Sequence, residues 1–264
     1  MRPTALAVLV GGIVAWSGCV HTAFAASPPV VLVDEAHGEK FLIDASGALD
    51  LSKFADAVRA VGAKVESIRT ELTEERLSQV DALVVSGAFK PFAAPEIDAV
   101  MHFLDRGGRL AVMLHIPLPL TALLHRLHVD FSNGVIRERE NVIGGDPLNF
   151  RVTVFAPHAL TRKLDAVALF GVWALMNENS DAAIIARTSP SAWVDLNGNN
   201  RLDKGDAVQS FGVAVAGQVG QGQFVVFGDD AIFQNQFLTK GNAVLARNLA
   251  CWLTRTNCQT DGAT

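Results

Sequence analysis

The chain reads as an α/β protein on a mainly parallel sheet, with an added β-rich segment that carries a calcium-type loop. Three observations predict this. Short apolar runs rich in β-branched residues alternate with amphipathic helical stretches through the first half. That is the pattern of parallel strands covered on both faces. Shorter strand-like runs, punctuated by Gly, Asn and Pro, follow in the second half. Among them, Asp195 to Asp206 sets oxygen-bearing side chains at the spacing of a cation-binding loop.

Taken in order, Val30 to Val33 is a buried-type strand running into Asp34-Glu35-Ala36-His37-Gly38. Leu51, Phe54, Ala55, Val58 and Val61 then recur on one helical face, which Gly62 stops. Val65 to Ile68 is a second strand and Ala82 to Val85 a third, the latter ending in Ser86-Gly87. Pro95 fits the first turn of a helix whose apolar face is Ile97, Val100, Met101 and Leu104, and Gly107-Gly108 ends it. Leu110 to Leu114 is a fourth strand, terminating at His115. Thr121 to His128 reads as helix, and the Gly, Asn and Pro content of Asn133 to Asn149 reads as a long loop. Strands follow near Val152 to Phe155, Ala182 to Ala186, Ser210 to Ala216 and Phe224 to Phe227. A last helix buries Val244, Leu245, Leu249, Trp252 and Leu253. No repeat, low-complexity block or linker divides the chain, so residues 26–264 are expected to form a single domain.

Residues 1–25 have the layout of an export signal. Arg2 supplies the positive start, Ala5 to Trp16 the apolar run, and Ala23-Phe24-Ala25 the small-residue cleavage site. The apolar run is too short to span a bilayer. A lipoprotein anchored through Cys19 is the alternative, but Trp16 stands where such a signal has Leu, so plain cleavage near Ala25 is the expectation. The mature product would be periplasmic or secreted. There, Cys251 and Cys258 are expected to form a disulfide; a buried thiol beside a frayed one is the other possibility. The formal charge of the whole chain is −5, with Lys and Arg scattered rather than clustered in sequence, so no nucleic-acid partner is expected.

Counting Asp195 as position 1, oxygens fall at 3 (Asn197), 5 (Asn199), 9 (Asp203) and 12 (Asp206), with the Arg201 carbonyl at 7. A structural Ca2+ is the cofactor this spacing suggests. Asn200 replaces the usual Gly at position 6, and Asp206 replaces a bidentate Glu, as in dockerin-type loops. The rival reading is a polar turn, since Asn, Gly and Asp are also ordinary turn residues.

Two segments carry a family resemblance: the opening run from Val31 to Gly38, and the closing run from Gly222 through Gly228-Asp229-Asp230 to Asn235, with Gly241-Asn242 and Asn248 to Leu253. Together they resemble DUF4350-type proteins of the class I glutamine-amidotransferase-like superfamily, akin to gliding-motility and intraflagellar-transport domains of that fold. The resemblance implies a flavodoxin-like three-layer sandwich. A working amidotransferase places a Cys on the turn after a central strand, whereas here Leu110 to Leu114 runs into His115-Ile116-Pro117. Without a thiolate there is no acyl-enzyme route of that kind, and glutamine hydrolysis is not expected.

In an open parallel sheet, ligands bind beyond the carboxyl ends of the strands. The ligand-binding candidates there are Asp34, His37, Ser86, His115, Asp229, Asp230 and, a little further on, Asn235. Such groups are able to hold a polar ligand or a metal, or to run acid–base chemistry, but an Asp at a strand end also caps helices. Two function classes follow. One is a non-catalytic module binding a small polar ligand or a cell-envelope partner. The other is a hydrolase of envelope polymers or conjugates, using Asp34, His37, His115 and Asp229 around a metal or an activated water.

Overall fold

The computed structural model describes residues 27–258. The expected export signal, its expected cleavage site and Cys19 lie outside the described residues. The first half alternates as its sequence suggests: β1 (Val30–Asp34), α1 (Ser52–Ala60), β2 (Lys64–Ile68), α2 (Glu74–Leu77), β3 (Ala82–Ser86), α3 (Ala94–Asp105), β4 (Arg109–Met113) and α4 (Thr121–Arg126). The second half is strand after strand. These are β5 (Val129–Arg137), β6 (Val142–Ile143), β7 (Asp146–Val152), β8 (Val154–Phe155), β9 (Val167–Phe170), β10 (Trp173–Asn177), β11 (Ala182–Arg187), β12 (Trp193–Val194), β13 (Ala207–Val208), β14 (Gly212–Val219) and β15 (Gly222–Phe227). Helix α5 (Gly241–Thr254) closes the fold.

The expectation of a mainly parallel, flavodoxin-like sandwich is overturned by this topology. The main sheet is mixed and has 12 strands, running β13-β12-β5-β10-β14-β15-β4-β3-β1-β2, with β11 and β8 attached through β14. Parallel pairing is confined to β2-β1-β3-β4-β15. The pairs of β5, β8 and β10 to β14 are antiparallel, as is β14 with β15. A separate three-stranded sheet, β6-β7-β9, is antiparallel too. The physical reason lies in the connections. Parallel neighbours need a crossover long enough for a helix, whereas a strand that follows after a two-residue turn returns antiparallel. Gly220 and Gln221 make such a turn between β14 and β15, with Gly220 at φ +55°. The segment expected as a loop, Asn133 to Asn149, is instead most of β5, β6 and β7. Its strands are only partly buried, and that half-exposed ribbon is why their polar content resembles a loop.

Side chains alternate across the parallel part. Val31, Val33, Val84, Ala111 and Met113 face one core with α1 and α5. Leu32, Leu83, Val85, Leu110 and Val112 face the other with α3 and α4. The carboxyl ends of β1, β3, β4 and β15 therefore meet at one rim, between two fixed helical layers. Gly228 makes that rim tight, since a Cβ there would lie 2.2 Å from the Trp173 carbonyl oxygen. At the far end, Cys251 in α5 and Cys258 beyond it stand at disulfide distance, with Cα atoms 6.0 Å apart. No helix among the described residues is long and apolar enough to cross a membrane.

Candidate functional site

The rim splits the expected residues into two groups. The first follows β1. Asp34 ends the strand, and the Asp34 Oδ2 to His37 Nδ1 distance is 2.7 Å. Gly38, at φ +79°, reverses the chain so that Glu39 returns toward the same place. The His37 carbonyl accepts from the N–H groups of Phe89 and Lys90, pinning this loop to the one after β3. On its other side, His37 Nε2 lies 3.2 and 3.3 Å from the Glu96 oxygens, and Phe92 packs on the ring at 3.8 Å. Glu96 in turn accepts from Leu72 N and Ala93 N, both at 2.9 Å, at the start of α3.

The charges here are strongly perturbed. Burial pulls the His37 imidazole down, but bonds and charges from Asp34 and Glu96 outweigh it and leave the group raised. Burial would raise Glu96 too, yet the Leu72 and Ala93 N–H groups and His37 hold it below its ordinary value. Glu39 is pushed up to about 8, by burial first and by the adjacent Asp34 charge second. Both Glu39 oxygens are buried without a hydrogen-bond partner. Asp34, His37 and Glu39 each offer a ligand atom, all within 4.8 Å of one another. Beside His37 and Glu96, but not lined by Asp34 or Glu39, opens a pocket of about 590 Å³ whose other lining residues are Ala36, Arg69, Thr70, Glu71 and Thr73.

The second group spans β3, β4 and β15. His115 Nδ1 lies 3.1 Å from Asp230 Oδ1. That hydrogen bond raises His115, against burial. Asp230 is itself raised by burial, and its Oδ2 has no partner. Phe41 and Phe89 flank the imidazole, each at 5.3 Å. Ser86 Oγ is buried and unpartnered nearby; the following Gly87 leaves room for Asp230, because a Cβ there would sit 2.8 Å from Asp230 Oδ2.

Two expected residues turn to other work. Asp229 accepts from Phe170 N at 2.6 Å and Ala231 N at 2.8 Å, tying β9 to the end of β15. Burial and neighbouring Asp230 push it up to about 8. Asn235 fixes the start of α1, accepting from Lys53 N and donating to Gly47 O and Ser52 Oγ. Hence Asp34 and His37 are bonded as one pair and His115 and Asp230 as another, while Asp229 bonds backbone N–H groups. Sequence reading missed Glu39 and Glu96. The spacing Asp34-x-x-His37-x-Glu39 was a usable signal for the first, and Glu96 sits at the third position of α3, where an acid commonly reaches back to the helix start.

The Asp195–Asp206 loop joins β12 to β13 at the surface. Asp195 accepts from Gly198 N and Asn200 N, both at 2.7 Å, and Asn200 takes φ +60°. Asp203 Oδ2 accepts from the side-chain amides of Asn197 and Asn199, and Asp206 Oδ2 accepts from Asp203 N. Arg201 N donates to Asn199 Oδ1. The loop is closed by its own turn bonds, so the part of the fold expectation that named it a calcium loop is not shown.

These features define a mixed-sheet α/β protein with ionisable groups gathered at the rim of its parallel strands. A family model described as a domain of unknown function, DUF4350, matches residues 44–250, and the chain belongs to that family. No curated protein matches the sequence. Among solved structures, one described as the mmIFT52 N-terminal domain has a TM-score of 0.68 at 18% identity, covering 89% of this chain and 100% of that one. The cytoplasmic protein STM1381 from Salmonella typhimurium LT2 has a TM-score of 0.57 at 16% identity, covering 86% and 99%. A ThuA-like protein from Bacteroides uniformis has a TM-score of 0.51 at 16% identity, covering 88% and 95%. At such identities the likeness is one of fold alone.

Proposed function

We propose that this chain is an exported, non-catalytic DUF4350 protein of amidotransferase-like descent that binds a small polar ligand at the His37 pocket. One observation carries the reading. The pocket is wide and open, with the buried His37 and Glu96 held in place and the polar side chains of Arg69, Thr70, Glu71 and Thr73 around them. A few fixed polar groups in a concave site are what orient a small ligand. A thermal-shift screen of amino acids, short peptides, sugars and sugar phosphates tests it. At about 100 times Kd a true ligand adds roughly 2.7 kcal/mol, or some 5–10 °C for a chain of this size. The double change Arg69→Ala with Thr70→Val should abolish the shift. A panel-wide blank, or a shift unchanged in the double variant, removes the reading.

A hydrolase reading is favoured by one arrangement, the His115–Asp230 pair. A buried carboxylate orients a side chain that is 40% exposed, leaving the other ring nitrogen available to take a proton from water. Conversion of any panel compound, followed by mass spectrometry and lost in His115→Gln, would establish it. Stable substrates throughout would eliminate it.

The same proposal includes a structural Ca2+ in the loop from Asp195 to Asp206. Its support is the oxygen spacing; the Asp195 oxygens and Asp206 Oδ2, each accepting one turn bond, retain a second lone pair. Millimolar calcium is expected to raise the melting temperature over EDTA, and Asp195→Ala to erase the difference. Superimposable curves in wild type would leave only a turn.

A further inference from the structure

We propose that Asp34, His37 and Glu39 bind one divalent transition-metal ion, of the zinc, cobalt or manganese kind, on the Asp34 side of the His37 ring. The proposal goes beyond the pocket reading and shares only His37 with it. Three facts carry it. The three ligand atoms already lie within 4.8 Å of one another, and all three residues are buried. Glu39 is 8% exposed, and neither of its oxygens finds a hydrogen-bond partner. Among the described residues, no lysine or arginine pairs with Asp34 or Glu39. Two buried carboxyl groups converge on one imidazole with no lysine or arginine beside them, and a bound dication would balance both in their ionised form.

The geometry suits one nitrogen and two oxygen ligands. Metal–ligand bonds of about 2.0–2.2 Å place tetrahedral ligand atoms roughly 3.3 Å apart. The 2.7 Å contact between His37 Nδ1 and Asp34 Oδ2 therefore opens slightly as the ion replaces the shared proton. The far ring nitrogen is already held. His37 Nε2–H donates to Glu96, whose oxygens are fixed by Leu72 N and Ala93 N. A ligating histidine usually donates its second N–H to just such a carboxylate, which fixes tautomer and ring plane. Gly38 and the clamp on the His37 carbonyl hold the loop in place before any ion arrives. The imidazole selects against calcium, which takes oxygens, and so separates this site from the Asp195 loop. A fourth position would take water.

The test uses the purified full chain, stripped with EDTA, exchanged into Co2+ and desalted. Metal is counted by mass spectrometry, and the visible cobalt bands report the ligand set. Wild type should retain about one equivalent, while Glu39→Gln, which keeps the shape and removes the charge, should bind at least tenfold more weakly. Asp56→Asn, on the exposed face of α1, should bind as wild type does. A metal-free melting curve for Glu39→Gln at or above the wild-type curve shows that the variant is folded. No cobalt retained, or equal retention by wild type and Glu39→Gln, overturns the proposal. If a ligand from the thermal-shift panel still stabilises stripped protein that retains no cobalt, the metal falls and the pocket reading stands.

Discussion

Glu96→Ala is expected to destabilise the fold by about 2–4 kcal/mol, because the side chain satisfies two buried donors, Leu72 N and His37 Nε2, and a third, part-buried one, Ala93 N. Its oxygens accept from Leu72 N, Ala93 N and His37 Nε2, so they join the approach to α2, the start of α3 and the loop after β1. In a chain of this length the change corresponds to roughly 10 °C in melting temperature. Glu96→Gln keeps one acceptor and should lose about half as much. Chemical denaturation of both variants gives the comparison. A loss below 1 kcal/mol in the alanine variant would mean that water or a neighbour replaces Glu96, and its place as the anchor of the rim would fail.

The second large effect is on pH. Asp229 ionises at about 8 in the folded chain and at roughly 4 when unfolded. Between those values the folded state holds a proton that the unfolded state has released. Stability therefore falls as pH rises from about 4 to about 8, by no more than about 1.4 kcal/mol per pH unit for this group. Glu39, also pushed up to about 8, acts in the same direction. So do His37 and His115, whose raised values give stability that is complete below an ordinary imidazole pKa and lost as pH climbs through the folded one. Glu96 opposes them at the acid end, since its lowered value gives stability that disappears as pH drops. The expected optimum is mildly acidic, near pH 5 by these ordinary reference values. Denaturation in chelator at three pH values across that window should show the decline, and Asp229→Asn should make it shallower. Stability that climbs toward pH 8 would contradict the assignment of these buried groups.

Much of this protein is set by local sequence. The strands at Val31, Leu83 and Leu110 are legible because continuous apolar runs suit strands buried on both faces. Helix α3 is legible from Pro95 and its apolar stripe, and the position of Asp34 and His37 at a strand end from the apolar run before them. The approach of Cys251 to Cys258 is legible because a short tail turns back on its helix. Each depends on interactions within a few residues or on burial that composition records.

Only the tertiary structure decided the rest. Whether β14 runs parallel or antiparallel to β10 and β11 depends on partners 25 or more residues away, about which a strand's own composition is silent. For the same reason, β5 and β7 resemble loops until their neighbours are known. At the rim, Asp229 and Asp230 are adjacent in sequence, yet one turns to the Phe170 backbone and the other to His115. Glu96 meets His37 from 59 residues away. Local chemistry chose which side chains stand at the strand ends. The order of strands in the sheet, fixed by burial summed over the whole core, chose which of them touch.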